Sequence, residues 1–295
     1  MPASQPGTTP AERHLVFSHA NGFPSGCYRV LFETWQRAGW TVHAIPRLGH
    51  DPAYPVTSNW PHLRDQLIHF IEREVRPRMA TPGPVMMAGH SLGGGVSLLA
   101  ACRRPDLVRG LLMLDSPVVS GWKAHSIHVA KLTGLIERVS PGKISSQRRH
   151  RWPTREAVFE HFASKHKFAR WDERVLRDYV ASGFDDVTGP DGPGVELGFR
   201  REVETRIYNT LPHTFDRIVR RHPPRCPLAF VAGTQSEELR QAGAEASKRL
   251  AGHNFHWMEG GHLYPFERPD DTAALVLQLL DRLEAEAAAP GATSL

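Results

Sequence analysis

Predicted strands and helices alternate through both ends of the 295-residue chain, and this alternation restricts the fold more than any other feature. Short apolar runs predict six strands, at 15–18, 41–45, 85–88, 111–114, 228–232 and 254–258. Amphipathic or apolar stretches predict the helices between them, at 28–38, 59–74, 94–103, 237–250 and 270–286. Such alternation predicts an α/β fold, with a mostly parallel sheet of about six strands and helices on both faces.

The middle of the chain, 117–222, departs from this pattern. It shows no clear strand, predicts helices at 154–165 and 172–182, and has a loop at 183–198 with five glycines and two prolines. We therefore expect a core formed by 14–116 and 223–288, and a helical cap formed by 117–222. The cap would cover the carboxyl ends of the strands, where parallel sheets place their chemistry. Residues 1–13 and 289–295 are expected to be flexible tails.

The formal net charge is +5, and the basic excess lies in 117–222. A solvated surface and a rim that attracts an anionic substrate are both compatible with it. No nucleic-acid recognition motif accompanies the charge, so we expect no nucleic-acid partner. No apolar run approaches the roughly 20 residues that span a bilayer, so no membrane partner is expected.

The three cysteines, Cys27, Cys102 and Cys226, are far apart and lack metal-type spacing. Together with an N-terminus that lacks the pattern of a secretion signal, they predict free thiols in the cytoplasm. His125 and His128 have ligand-like spacing but no third ligand nearby, so no metal site is predicted. No Gly-x-Gly-x-x-Gly follows a strand, and we expect no cofactor. The oligomeric state stays open.

The motif that carries chemistry is Gly89-His-Ser-Leu-Gly93. It fits Gly-x-Ser-x-Gly, the strand-to-helix turn that presents a nucleophilic serine. The pattern alone is weak, but here a buried-type strand precedes it and an apolar helix follows it. Glycines are needed on either side because a side chain there would clash with the strained turn. Ser91 is the predicted nucleophile.

A serine hydroxyl needs a base, and position selects one of the 17 histidines. His262 follows the last predicted strand, precedes the last helix and comes after two glycines, where the order serine, acid, histidine places the base. The attack also creates an oxyanion, which backbone N–H groups must bind. Leu92, next to the serine, is one predicted donor. Asn21, in the loop after the first strand, is the other, with Phe23 as the alternative.

The acid that orients the histidine has two candidates. The loop after the 228–232 strand has Ser236 where an aspartate is expected, and Glu237 follows it. Asp115 lies at the end of the preceding strand, beside the serine motif. We predict Asp115, with Glu237 as the alternative. Either side chain could instead be structural, at a turn or a helix N-terminus.

Taken together, these residues resemble the α/β-hydrolase superfamily from about 15 to 286. His19-Ala-Asn-Gly22 is similar to its oxyanion loop, with Ala20 in place of the usual glycine, and Tyr28 stands where the family often has an aromatic residue. The resemblance implies a helical cap after strand six. Since only about 13 residues precede the first strand, we expect six strands instead of the family's eight. Some members carry the acid after strand six, and Asp115 fits that variant.

The resemblance implies a serine hydrolase that cleaves a carboxylic ester through an acyl-enzyme, with a small-molecule ester as substrate. Thioester, lactone and C–C bond hydrolysis are alternatives within the same chemistry, and a degenerate ligand-binding member is the non-enzymatic one. The serine disfavours dehalogenases and epoxide hydrolases, which need a carboxylate nucleophile. His19, His90 and Trp122 are predicted to contact substrate. Other pocket candidates, although residues of this kind are more often cap core, are Phe159, Phe162, Trp171, Phe184 and Tyr208.

Overall fold

The computed structural model describes residues 12–136, 142–189 and 192–289. Nine strands lie in these ranges: β1 (Arg13–Ser18), β2 (Trp40–Ala44), β3 (Val85–His90), β4 (Val108–Leu114), β5 (Arg151–Trp152), β6 (Phe184–Gly189), β7 (Gly192–Leu197), β8 (Leu228–Gly233) and β9 (Phe255–Met258). Six of them form one sheet in the order β2-β1-β3-β4-β8-β9, and every neighbouring pair is parallel. The predicted six-stranded parallel sheet is confirmed.

The α-helices of the described residues are α1 (Arg29–Arg37), α2 (Pro61–Phe70), α3 (Leu92–Arg103), α4 (Gly121–Leu132), α5 (Gly142–Gln147), α6 (Arg155–Ala163), α7 (Glu173–Ser182), α8 (Arg201–Asn209), α9 (Phe215–Arg221), α10 (Glu237–Ala242), α11 (Glu245–Ala251), α12 (Tyr264–Glu267) and α13 (Pro269–Ala288). Among the described helices, none has both the length and the apolar character that crossing a bilayer requires.

Two hydrophobic clusters cover the two faces of the sheet. Alternate residues of β1 point to opposite faces, so Leu15 and Phe17 pack in one cluster while Val16 packs in the other. The first cluster includes the buried sides of α1 and α13, and the second includes those of α2 and α3. Strands that are buried on both faces explain the continuous apolar runs in the sequence.

The segment between β4 and β8, here called the inserted segment (117–222), contains strands as well as helices. β5, β7 and β6 form a three-stranded antiparallel sheet, in which Phe184 pairs with Leu197 and Gly189 with Gly192. The helices of the segment are joined by strands that the sequence did not predict, and the expectation of a loop at 183–198 is wrong. Glycine and proline suggested a loop, but the buried side chains of Phe184, Val195 and Leu197 anchor a hairpin there.

Element boundaries differ from the prediction at three further places. Gly243, at a φ of 87°, divides the predicted helix at 237–250 into α10 and α11. Ile71–Val75 continues α2 as a π-helical stretch. Arg13, assigned to a flexible tail, begins β1 and pairs with Trp40. Of the two predicted tails, 1–11 and 290–295 lie outside the described residues.

Candidate active site

Ser91 lies at the sharp turn between β3 and α3. Its φ of 53° is in the left-handed region, a strained conformation for a serine, and its N–H donates to the Leu114 carbonyl at 2.9 Å. A Cβ on Gly93 would lie 1.9 Å from the Ser18 carbonyl oxygen, so only glycine fits there. The Gly-x-Ser-x-Gly spacing thus reflects how closely α3 approaches β1.

His262 reaches the serine from the loop between β9 and α12. Its Nε2 lies 2.9 Å from Ser91 Oγ, and its Nδ1 lies 2.6 Å from Asp115 Oδ2. Because a carboxylate only accepts hydrogen bonds, Nδ1 carries the proton and Nε2 is free to accept from the serine hydroxyl. The structure brings all three predicted residues together.

Burial and neighbouring charges have opposite effects on the pKa of His262. Burial works to lower the pKa of His262, but the hydrogen bond and charge of Asp115, with a smaller contribution from Glu238, raise that pKa above its ordinary value. The raised pKa means that Asp115 stabilises the imidazolium that forms when His262 takes a proton.

Asp115 is fully buried at the carboxyl end of β4, at a φ of 39°. Besides His262, its carboxylate accepts hydrogen bonds from the Gly233 N–H at 2.8 Å and from Ser236 Oγ at 2.5 Å. Glu237, the alternative acid, is 71% exposed and pairs with Arg240 at 3.1 Å. The geometry therefore favours Asp115 over Glu237.

A residue that the sequence analysis missed, Glu238, also faces the imidazole. Its Oε2 lies 3.8 Å from His262 Nδ1. Among the described residues, Asp115, Glu238 and His262 are the group whose donor atoms lie close enough together for one metal ion, within 4.8 Å. Asp115 and His262 already bind each other, so a cation there would compete with the imidazole hydrogen bond. Adjacent glutamates in a helix point in different directions, and only the fold selects Glu238.

The two predicted oxyanion donors lie at chain positions where N–H groups are free. Leu92 is the first residue of α3, where the helix provides no acceptor. Within the described residues, no backbone hydrogen bond from the Asn21 N–H is found. The N–H of Phe23, the alternative, donates to the Ala20 carbonyl at 3.2 Å. This bond favours Asn21 over Phe23.

His19 and His90, predicted to contact substrate, are fully buried instead. His19 Nδ1 donates to the Ala20 carbonyl at 2.8 Å, and its Nε2 accepts from the Leu48 N–H at 2.7 Å. Burial lowers the pKa of His19 to about 4 and that of His90 to about 3, so both are neutral at pH 7. Because their ring nitrogens are occupied, neither ring is available to a substrate, and this prediction is wrong.

His90 instead links the two loops beside Ser91. Its Nε2 lies 2.9 Å from the His262 carbonyl oxygen, which can only accept, so Nε2 carries the proton. Nδ1 must then accept from the Tyr28 hydroxyl at 2.7 Å, and that hydroxyl accepts from the Ala20 N–H at 3.1 Å. Tyr28 and His90 therefore connect the predicted oxyanion loop, at 19–24, to the backbone of His262.

The predicted pocket aromatics divide into two groups. Phe162, Trp171 and Phe184 are buried in a cluster with Tyr179 and serve as core of the inserted segment. Trp122, in contrast, is 73% exposed in α4. Its contact with substrate stays a prediction, as do those of Phe159 and Tyr208.

Helix α8 of the inserted segment packs against the predicted oxyanion loop and binds Asn21. Asn21 Nδ2 donates to the Glu204 carbonyl at 3.1 Å. The carboxylate of Glu204 is buried, and its Oε1 accepts from Ser145 Oγ at 2.9 Å and from Arg148 Nη1 at 3.2 Å. At Gly22, with a φ of 83°, a Cβ would lie 3.1 Å from Glu204 Cδ. The inserted segment thus packs directly against the loop that carries one predicted oxyanion donor.

Two curated lipases are similar to part of this chain. The chain is 29% identical over 179 residues to a monoglyceride lipase homolog of monkeypox virus, covering 58% of this chain and 59% of the relative. It is 29% identical over 153 residues to monoglyceride lipase of Rattus norvegicus, covering 48% of each. Matches to these curated relatives therefore span about half to three fifths of their length.

Among solved structures, E-2-(acetamidomethylene)succinate hydrolase superposes with a TM-score of 0.66 at 19% identity, covering 91% of both chains. At that identity the likeness concerns the fold. The sequence profile of the alpha/beta hydrolase family matches residues 15–275, which is most of the chain. The protein therefore belongs to the alpha/beta hydrolase family.

Proposed function

We propose that this protein is a serine hydrolase that cleaves a carboxylic ester through an acyl-enzyme. The observation that carries the proposal is the continuous hydrogen-bonded chain from Ser91 Oγ through His262 to Asp115, with separations of 2.9 and 2.6 Å. This is the geometry that a hydroxyl needs to become a nucleophile at neutral pH.

In the proposed first half-reaction, Ser91 Oγ attacks the ester carbonyl carbon while its proton passes to His262 Nε2. The N–H groups of Leu92 and Asn21 bind the oxyanion, and each such donor contributes about 10²–10³ in rate. The tetrahedral intermediate collapses, and His262 gives the proton to the leaving alcohol. General-base and general-acid assistance of this kind contributes about 10²–10⁴.

In the second half-reaction, a water molecule takes the place of the alcohol. His262 accepts its proton, the hydroxyl attacks the acyl carbon, and the proton returns to Ser91 Oγ as the acid leaves. Asp115 stays ionised throughout and stabilises the imidazolium in both steps. Because both relatives are monoglyceride lipases by name, a monoacylglycerol is the first natural ester to test.

The test is hydrolysis of nitrophenyl acetate, followed by a panel of monoacylglycerols, thioesters and lactones, each with and without a carboxylate. We expect Ser91→Ala to lower kcat by about 10⁶-fold, the cost of removing a serine nucleophile. Circular dichroism of the variant controls for folding. Equal rates for the wild type and Ser91→Ala would reject the enzymatic function and favour a ligand-binding member of the family.

A further inference from the structure

Two carboxylates, instead of one, face the Nδ1 side of His262. Asp115 Oδ2 lies 2.6 Å from Nδ1 and accepts its hydrogen bond, while Glu238 Oε2 lies 3.8 Å from the same nitrogen. At 3.8 Å the second contact is too long for a hydrogen bond but close enough for charge attraction. The two oxygens therefore approach one imidazole from different elements, the end of β4 and the start of α10.

The surroundings of the two carboxylates differ. Asp115 is fully buried and is fixed by the Gly233 N–H and Ser236 Oγ. Glu238 is half exposed, and among the described residues its one ion pair is with His262. A side chain that is free to rotate at a helix N-terminus needs to move by only about 1 Å to reach hydrogen-bond distance.

Four charged or titratable groups act on His262. Asp115 and Glu238 favour its charged form, and Lys167 of the inserted segment disfavours it. His90 packs against it with ring centroids 5.3 Å apart and is neutral at pH 7, since burial lowers its pKa to about 3. Among the described residues, Glu238 is thus the second carboxylate within 4 Å of His262 Nδ1.

We propose that Glu238 is a second carboxylate partner of His262, which stabilises the imidazolium through space and accepts the Nδ1 hydrogen bond when the charge of Asp115 is removed by substitution. The proposal rests on the function proposed above and deepens it. Glu238 acts through His262, so its role is that of a positioning residue.

The first test compares Glu238→Gln with Glu237→Gln by the acid limb of kcat/KM against pH. The two changes are isosteric and adjacent, but Glu237 pairs with Arg240 instead of His262. Removing a negative charge next to His262 lowers its pKa, so the limb should move to lower pH. We expect a shift of roughly 0.2–0.7 unit for Glu238→Gln, reduced at 1 M salt, and none for Glu237→Gln.

The second test repeats both changes in the Asp115→Asn variant. Loss of the orienting carboxylate alone costs about 10⁴ where no substitute exists. With Glu238 as substitute, we expect Asp115→Asn to lose about 10³-fold or less, and the Asp115→Asn/Glu238→Gln double variant about tenfold more. The Asp115→Asn/Glu237→Gln variant should match the single variant.

The inference fails if Glu238→Gln behaves like Glu237→Gln in both backgrounds. That result is distinct from failure of the proposed function, which Ser91→Ala decides independently. If the wild type were active, the Ser91→Ala variant inactive and Glu238→Gln without effect, the proposed function would stand and the inference about Glu238 would be rejected. Urea unfolding of each variant ensures that folded proteins are compared.

Discussion

At the scale of single residues, Ser236 explains how an acid at the end of β4 can serve this site. Its hydroxyl donates to Asp115 Oδ2 and accepts from the Leu239 N–H at 3.1 Å, as the N-cap of α10. The sequence has a serine where an aspartate is expected in this loop. In the structure that serine is a hydrogen-bond donor to the carboxylate that lies one strand away.

We expect Ser236→Ala to lower both stability and rate. Loss of the cap should cost about 1 kcal/mol of unfolding free energy. Loss of a donor to an ionised carboxylate should lower kcat by about tenfold, because Asp115 is then less well oriented. The measurements are urea unfolding and ester hydrolysis.

The matched control is Thr154→Ala at the N-cap of α6, where the side chain accepts from the Ala157 N–H at 3.2 Å. It should lose similar stability but no activity. A Ser236→Ala variant with unchanged kcat would show that Asp115 keeps its orientation without the serine.

The sequence predicted the serine and histidine of the candidate site better than the acid, for a physical reason. Ser91 and His262 lie among glycines that the local backbone demands, and this local demand is visible in the sequence. An orienting carboxylate is defined only by what it reaches. The sequence therefore narrows the acid to two candidates, Asp115 and Glu237. It does not reveal Glu238, because the direction in which a helical side chain points depends on how the helix packs in the fold.

At the scale of elements, α8 connects the inserted segment to the loop that carries Asn21. Its Glu204 carbonyl binds Asn21, while the Glu204 carboxylate pairs with Arg148. Burial raises the pKa of the Glu204 carboxyl, and Arg148 and Ser145 oppose that rise. The ion pair with Arg148 therefore stabilises the ionised carboxylate of Glu204, which burial disfavours. This ion pair lies next to the predicted oxyanion loop.

We expect Glu204→Gln to destabilise the protein by roughly 3 kcal/mol, because it leaves the Arg148 charge buried without its partner. It should also lower kcat more than it raises KM, since the oxyanion loop loses support. Chemical unfolding and steady-state kinetics measure the two effects.

Glu173→Gln in α7 is the control, because its ion pair with Arg177 is exposed on both sides. Such a pair contributes less than about 1 kcal/mol. If Glu204→Gln were as mild as this control, the Arg148 contact would have no role in seating the loop.

α8 was not predicted from the sequence, and neither was the β6–β7 hairpin. α8 is short and has few apolar residues, of which Ile207 is fully buried, so little apolar sequence marks it as a helix. The hairpin carries five glycines, at 183, 189, 192, 194 and 198, in or beside its strands. Both elements depend on contacts distant in sequence, whereas the core strands are apolar enough to be recognised individually.

At the scale of the whole molecule, neutral histidines that are fully or partly buried link stability to pH. Burial lowers the pKa of His19 and of His50 to about 4, and that of His90 to about 3. In the unfolded chain each titrates near 6.5, so the unfolded state binds more protons as the pH falls below that value. Their contribution to stability is present above pH 6.5 and is lost as the pH falls towards 4.

We therefore expect the unfolding free energy to be nearly constant from pH 8 to 7 and to fall by roughly 2 kcal/mol per buried histidine between pH 7 and 5. Urea unfolding across this range measures it. His50→Gln should reduce this loss of unfolding free energy by the roughly 2 kcal/mol that one histidine contributes. A change at the exposed His125 should leave the profile unaltered. A flat profile down to pH 5 would contradict the prediction.

The contact between α8 and Asn21 bears on how this protein could be re-engineered. Grafting a foreign lid between β4 and β8 would preserve the sheet and the nucleophile, yet would discard the residues that seat the loop beside the serine. A chimera that keeps α8 with Arg148 and Glu204, and exchanges only the rest of the inserted segment, should change substrate specificity while it retains the proposed turnover.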